Sequence, residues 1–174
     1  MIEITLSPVE EIQADAIIRS ISAGLDADTP FGRDVELLAG PEVTERLQAM
    51  GDLPVGAAVI TPSGNLEVGF LIHVVLQADD QPVSSEAVKT ALTNGLRRAE
   101  EWGLESVVVP PLGSGAGNLD VESVAAIMVP VFTDHMTSAS HLKNVTIVVS
   151  TDFEREVFSR LVGSASGRRA PGVH

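Results

Sequence analysis

The 174-residue chain has no cysteine, which excludes disulfide bonds, a thiolate nucleophile and cysteine-built zinc sites. Aromatic residues make up only 3% of the sequence against 44% apolar residues overall, so Val, Ile, Leu and Ala must fill the core. Lysine is nearly absent: Lys89 and Lys143 are the two. With 24 acidic and 11 basic residues, the formal net charge is −13. A nucleic-acid-binding face needs a surplus of basic residues, so that class of partner is excluded. No apolar run approaches the ~18 residues that would span a bilayer, and no membrane partner is expected. Met1 leads straight into strand-like sequence without a charged and then apolar leader, so the expected location is the cytoplasm. His135 and His141 are not paired with carboxylates at ligand spacing, and neither a metal nor a cofactor is expected.

The length suits one domain with a sizeable core, expected over residues 1–162, followed by a small, polar, disordered tail over 163–174. Ile2, Ile4 and Leu6 alternate with polar residues as in a strand with one buried face, and Pro8 ends it. Ala16-Ile17-Ile18 reads as a short buried strand. Residues 22–30 read as a loop whose two aspartates, Asp26 and Asp28, face water or whatever the loop covers. Two short helices follow, broken at Gly40-Pro41, with Pro41 at a helix start and Gly51 at a helix end. Strands are expected over 57–61 and 70–76. The second is a continuous apolar run interrupted by His73, which reads as a core histidine held by hydrogen bonds. Ser84 or Ser85 caps a helix whose apolar stripe ends at Trp102, read as a core anchor. Asp120 reads as the cap of a further helix, which Pro130 should kink or split. The last strand is 145–149. Thr151 and Glu154 form a capping-box pattern that opens a final helix to about Leu161. Crossover helices between strands imply a mixed, largely parallel six-stranded sheet with helices on both faces, a three-layer α/β/α sandwich.

The stretch most suggestive of function is Val107-Val108-Val109-Pro110-Pro111-Leu112-Gly113-Ser114-Gly115-Ala116-Gly117-Asn118-Leu119-Asp120. A β-branched run stops at two prolines, which cannot continue a ladder. Glycines then alternate with small residues, and a helix follows. Such a loop can turn its amide groups toward an anion, backed by the positive end of the helix dipole. A glycine-rich turn with no ligand has the same sequence. Ser114 has no base near it in sequence and does not sit in a nucleophile elbow.

Three segments resemble the macro domain family, whose members bind ADP-ribose. Residues 51–66 with Leu71-Ile72-His73-Val74-Val75 resemble its middle segment, 109–117 its second phosphate loop, and Asp15-Ala16-Ile17-Ile18 the strand leading to its first ligand loop. The resemblance spans roughly Ile2 to Leu161 and implies the macro fold. It also implies ligand contacts from Gly113, Ser114, Gly115, Ala116, Gly117 and Asn118 in one loop, and from Ile17, Arg19 and Ser22 at the other. The family's usual Asn-Ala-Ala-Asn falls on Arg19-Ser20-Ile21-Ser22, its run of glycines on Ala27-Asp28-Thr29-Pro30, and its adenine-reading aspartate on Pro8. The acid that some hydrolytic members carry falls on Gly32. Arg19 either supplies a phosphate donor in place of what is lost or pairs with Asp26 or Asp28.

The expected function is therefore that of a divergent macro domain binding ADP-ribose or a related phosphorylated nucleotide through backbone amides, without hydrolase activity. The alternatives are a degenerate cleft used for protein interaction and an ADP-ribosyl hydrolase with a rewired site.

Overall fold

The computed structural model describes residues 1–114 and 119–169, with side chains described through residue 165. Six strands form one sheet: β1 (Ile2–Thr5), β2 (Ala16–Ser22), β3 (Ala58–Pro62), β4 (Phe70–Gln77), β5 (Ser106–Val109) and β6 (Asn144–Val148). Their order is β1-β6-β5-β2-β4-β3. All neighbours are parallel except β3, which runs antiparallel to β4 across the connection 63–69. Five helices connect them: α1 (Pro30–Ala39), α2 (Pro41–Met50), α3 (Ser85–Glu101), α4 (Val121–Ser138) and α5 (Asp152–Arg169). The expected mixed six-stranded α/β architecture is thus what the chain adopts.

The sheet buries two separate apolar layers. On one face Ile17, Leu71, Val108 and Val148 meet Val35 and Ala39 of α1 and Val43 of α2. On the other, Ile18, Ile72, Val107 and Ile147 meet the buried stripes of α3, α4 and α5. Successive residues of a strand point to opposite faces, so the uninterrupted apolar runs of β2 and β4 feed both layers at once.

Local sequence sets most helix ends. Thr29 caps α1 by accepting from the Gly32 amide at 2.9 Å, Ser84 caps α3 through Ala87 at 3.0 Å, and Asp120 caps α4 through Ser123 at 2.7 Å. The Thr151 hydroxyl accepts from the Glu154 amide at 3.1 Å, while the Glu154 carboxylate accepts from the Thr151 amide at 3.1 Å, the reciprocal capping box. Three expectations need correction. Pro130 does not split α4, because Val129 and Val131 on either side of it are buried and hold the helix on the sheet. Helix α5 continues past Leu161 to Arg169, because Leu161, Val162 and Ala165 pack on the core, and the segment 163–169 is helix rather than disordered tail. Trp102 is 54% exposed, with its ring centroid 5.2 Å from that of Phe70, so it covers the core from outside instead of anchoring it.

The turn between β3 and β4 holds α1 in place. The Asn65 amide donates to the Ala39 carbonyl at 2.9 Å. Gly64 has φ +63°, and a Cβ there would strike the Ala39 carbonyl. Gly64→Ala should therefore cost roughly 2 kcal/mol from the left-handed backbone and the collision together. Urea unfolding of the variant would measure it, and an unchanged midpoint would show that the turn can move away from α1.

Candidate functional site

In a parallel sheet, a cleft opens where two neighbouring strands send their chains to opposite faces. Here those strands are β2 and β5. From the carboxyl end of β2 the chain passes to α1 on one face; from that of β5 it passes to α4 on the other. Their ladder has only two register pairs, Ala16 with Val107 and Ile17 with Val108. Beyond these, the two strands part. Loop 23–29 and the start of the second loop, 110–114, stand on either side of the opening.

The second loop is anchored firmly at its start. Pro110, Pro111, Leu112 and Gly113 are buried. The Leu112 amide donates to Met128 Sδ at 3.3 Å. Gly113 has φ +97°, and a Cβ there would lie 3.0 Å from Val83 Cγ1. Both the turn and the packing thus require glycine at this position. Ser114 is half-buried at the point where the loop leaves the core. Gly115, Ala116, Gly117 and Asn118, also expected to contact ligand, lie outside the described residues.

The first loop closes on itself. The Ser22 amide donates to the Asp26 carbonyl at 2.9 Å, Leu25 to Ser22 at 2.9 Å, and Ala23 to the Gln77 carbonyl at 2.8 Å. The Asp26 amide donates to Ser22 Oγ at 3.2 Å. These amides are satisfied by the protein's own oxygens, and the Ser22 side chain is spent on its own loop. Leu25 takes φ +77°, a conformation that non-glycine residues rarely adopt. Asp28 lies across the ends of β2 and β4: Oδ1 accepts from Ser20 Oγ at 2.6 Å and Oδ2 from Gln77 Nε2 at 3.3 Å. This loop therefore presents a fixed carboxylate near the opening, where an anion would be repelled. Sequence alone flagged Asp28; its partner Gln77 carried no signal, because nothing in the chain order pairs residues 49 positions apart.

Two of the residues expected to contact ligand lie inside the protein. Ile17 is fully buried in the layer facing α1, so it offers no surface to a ligand. Arg19 is also fully buried; its ion pair is with Glu36, and of the two aspartates expected as partners the charge of Asp28 acts on it. Its Nε donates to His73 Nδ1 at 2.9 Å, its Nη1 donates to the Gly32 carbonyl at 3.3 Å, and its Nη2 lies 3.7 Å from Glu36 Oε1. The alternation of β2 turns residue 19 under α1, to the same side as Ile17, and an arginine there must find partners inside the protein. His73 accepts at Nδ1, so its proton is on Nε2, which donates to Thr61 Oγ1 at 2.9 Å. The Thr61 hydroxyl in turn donates to the Pro62 carbonyl at 3.0 Å. Burial first, and the Arg19 charge second, hold the His73 pKa well below 6.5. The reading of His73 as a hydrogen-bonded core histidine agrees with this geometry. The partner on Arg19 was missed, although an arginine in an otherwise apolar strand was the signal that a buried acceptor must exist.

Beside the opening, a pocket of about 380 Å³ lies at the carboxyl ends of β1 and β6. Its walls include Pro8, Pro30, Phe31, Pro110 and Val149, with Asp34 at the rim. Asp15 sits at the opposite end of β2, where its Oδ2 accepts from the Glu105 and Ser106 amides at 2.8 and 3.2 Å. His135 and His141 also lie at that far end, where the Glu100 carboxylate accepts from the Ser140, His141 and Leu142 amides. Among the described residues no group of His, Asp and Glu is placed to hold a metal ion.

Comparison with known proteins agrees with this architecture. The family model for the macro domain matches residues 33–128. A macro domain-containing protein of Caldanaerobacter subterraneus subsp. tengcongensis is 27% identical over 154 residues, covering 85% of this chain and 87% of that protein. An O-acetyl-ADP-ribose deacetylase of Escherichia fergusonii is 24% identical over 167 residues, covering 92% and 94%. Among solved structures, the Oceanobacillus iheyensis macrodomain with ADP superposes with a TM-score of 0.87 at 19% identity, covering 96% of this chain and 92% of that one. With its family match extending over more than half of its length, and its sheet, crossovers and strand-end cleft built as described, the chain belongs to the macro domain family as a divergent member.

Proposed function

We propose that this protein binds ADP-ribose or a related phosphorylated nucleotide at the β2–β5 opening, with the anion gathered by backbone amides of the second loop, and that it does not hydrolyse it. The observation that carries this reading is the asymmetry of the two loops. The first has satisfied its amides internally and set a carboxylate among them. The second leaves a buried, glycine-turned base and enters α4, whose amino end favours negative charge. A relative's structure with ADP adds weight, since the two folds superpose.

Hydrolysis needs a general base or acid within hydrogen-bond reach of the reacting atom. His73 lies beneath the sheet surface with both ring nitrogens engaged. Asp28 is tied to Ser20 and Gln77. Gly32 stands where some hydrolytic members have an acid. These features support binding without turnover.

Titration calorimetry with ADP-ribose, ADP, AMP and NAD tests the reading. At least one should bind with a Kd in the micromolar range, about −8 kcal/mol. ADP-ribose attached to a protein should not be released above the blank rate. Absence of heat and of any thermal shift with all four ligands would refute binding, and release above blank would refute its passivity.

A further inference from the structure

We infer that Arg19 is a positioning residue for the cleft: its guanidinium, aligned by His73, fastens the amino end of α1 to β2 and so holds the first wall of the opening in its binding form. The inference rests on the nucleotide-binding reading and adds which buried groups shape the site without touching the ligand.

A buried arginine gives up its hydration and needs acceptors inside the protein. Arg19 is fully buried, and its Nη2 has no hydrogen-bond partner among the described residues. The two bonds it does make lead in a definite direction. Nε donates to His73 Nδ1 at 2.9 Å. Nη1 donates to the Gly32 carbonyl at 3.3 Å, in the first turn of α1. The His73 ring is itself fixed by Thr61, 2.9 Å from Nε2. A line of bonds therefore runs from β3 through β4 and β2 into α1. Gly32 sits close against the end of β2: a Cβ there would lie 3.2 Å from Thr29 Oγ1 and 3.5 Å from the Ser20 carbonyl oxygen. The neighbouring Ser20 holds Asp28 of the same wall at 2.6 Å. Glu36, one turn further along α1, faces Arg19 Nη2 at 3.7 Å and accepts from Thr44 of α2 at 3.4 Å. Loop 23–29 thus enters a helix whose first turn is pinned from below. Without Arg19 that turn keeps its Thr29 cap but loses its side-chain tie to β2, and only a fraction of the molecules present the wall in binding form. Affinity then falls by that fraction.

Affinities compared at matched stability decide the matter, with ADP-ribose titrated by calorimetry at a temperature where circular dichroism shows every variant folded. Arg19→Met should weaken binding about tenfold. His73→Leu, at a residue buried within the sheet, should weaken it about as much, and the double variant no further. His73→Asn places an amide oxygen where Nδ1 stood, and should bring the affinity back to within about threefold of the unmodified protein. Leu96→Ala, in the opposite apolar layer, lowers the Tm comparably and should leave the affinity within about twofold. Undiminished binding by Arg19→Met and His73→Leu, an equal loss in Leu96→Ala, or no recovery in His73→Asn would overturn the role of Arg19 while leaving nucleotide binding standing. Should Arg19→Met not fold, the two His73 variants make the same comparison. No binding by the unmodified protein would refute the nucleotide reading; hydrogen exchange of the amides over 32–36 then tests the tie by itself. Those amides should exchange faster in Arg19→Met than in Leu96→Ala, and equal protection would overturn it.

Discussion

Replacing Asp28 by Asn should tighten ADP-ribose binding rather than weaken it. The carboxylate is held between Ser20 Oγ and Gln77 Nε2 at the ends of β2 and β4, and it is half-buried. A phosphate about 5 Å away, at an effective dielectric constant of roughly 30, would lose ~2 kcal/mol to that charge. Relief of the repulsion corresponds to roughly a thirtyfold lower Kd. Asn keeps the size of the side chain and an oxygen to accept from Ser20, so the first loop should retain its shape. Because the effect is a screened repulsion at a partly exposed group, the gap between variant and parent should narrow between 50 mM and about 500 mM salt. Calorimetry at the two ionic strengths reads both quantities. An unchanged Kd would mean that the first loop does not face the ligand's anion at all. It would then favour a macro fold whose first wall serves something other than nucleotide binding.

Arg19→Met should be the most destabilising change near the cleft. Arg19 is buried and charged, hydrogen-bonded to His73 and the Gly32 carbonyl, with Glu36 as its ion-pair partner at 3.7 Å. Its removal leaves His73 Nδ1 without a donor and the Glu36 carboxylate without its cation. Breaking one side of such a buried pair costs about 4 kcal/mol, and for a chain of this size that lowers the Tm by about 10 °C. His73→Leu should cost a similar amount by leaving Arg19 Nε unpaired. The double variant should cost clearly less than the sum of the two, because the groups share one interaction. Additive losses would show that the two residues act independently.

The same pair sets a pH dependence. His73 takes up a proton near pH 6.5 in the unfolded chain, but in the folded protein its pKa lies well below that. Between the two values the unfolded state binds more protons, so stability falls as the pH drops below 6.5. The slope from this residue approaches about 1.4 kcal/mol per pH unit. Burial also lowers the His135 pKa and adds in the same direction. Subtracting the His73→Leu profile from that of the parent isolates His73. Equal slopes below pH 6 would contradict a buried neutral imidazole.

Sequence reading located the elements because each carries local chemistry: β-branched runs for strands, Gly40-Pro41 between two helices, Thr151 and Glu154 at the start of α5. It was less successful with side chains whose partners are distant in the chain. Arg19 looked like a candidate for phosphate or for the nearby aspartates, yet its donor groups turn to His73, 54 residues away. The family resemblance implies a ligand contact from Ile17, while strand alternation and the covering helix α1 put its side chain in the core. For Asp28 the sequence leaves open whether it faces water or whatever its loop covers. That it is fastened in place by Ser20 and Gln77, instead of turning to water, emerged only from the folded chain.

By itself, the amino-acid order determined the α/β/α architecture, the largely parallel sheet and the strand-to-helix junction at Pro110–Asp120. These follow from periodicity, turn residues and caps, which act over a few neighbouring positions. Tertiary structure alone decided which polar groups are consumed inside the protein and which remain open beside the cleft. The physical reason is that the hydrogen-bond partners of a buried group are set by which strands become neighbours. Here β2 lies between β4 and β5, and that arrangement joins Arg19 to His73, Asp28 to Gln77, and leaves Asp34 facing an open pocket.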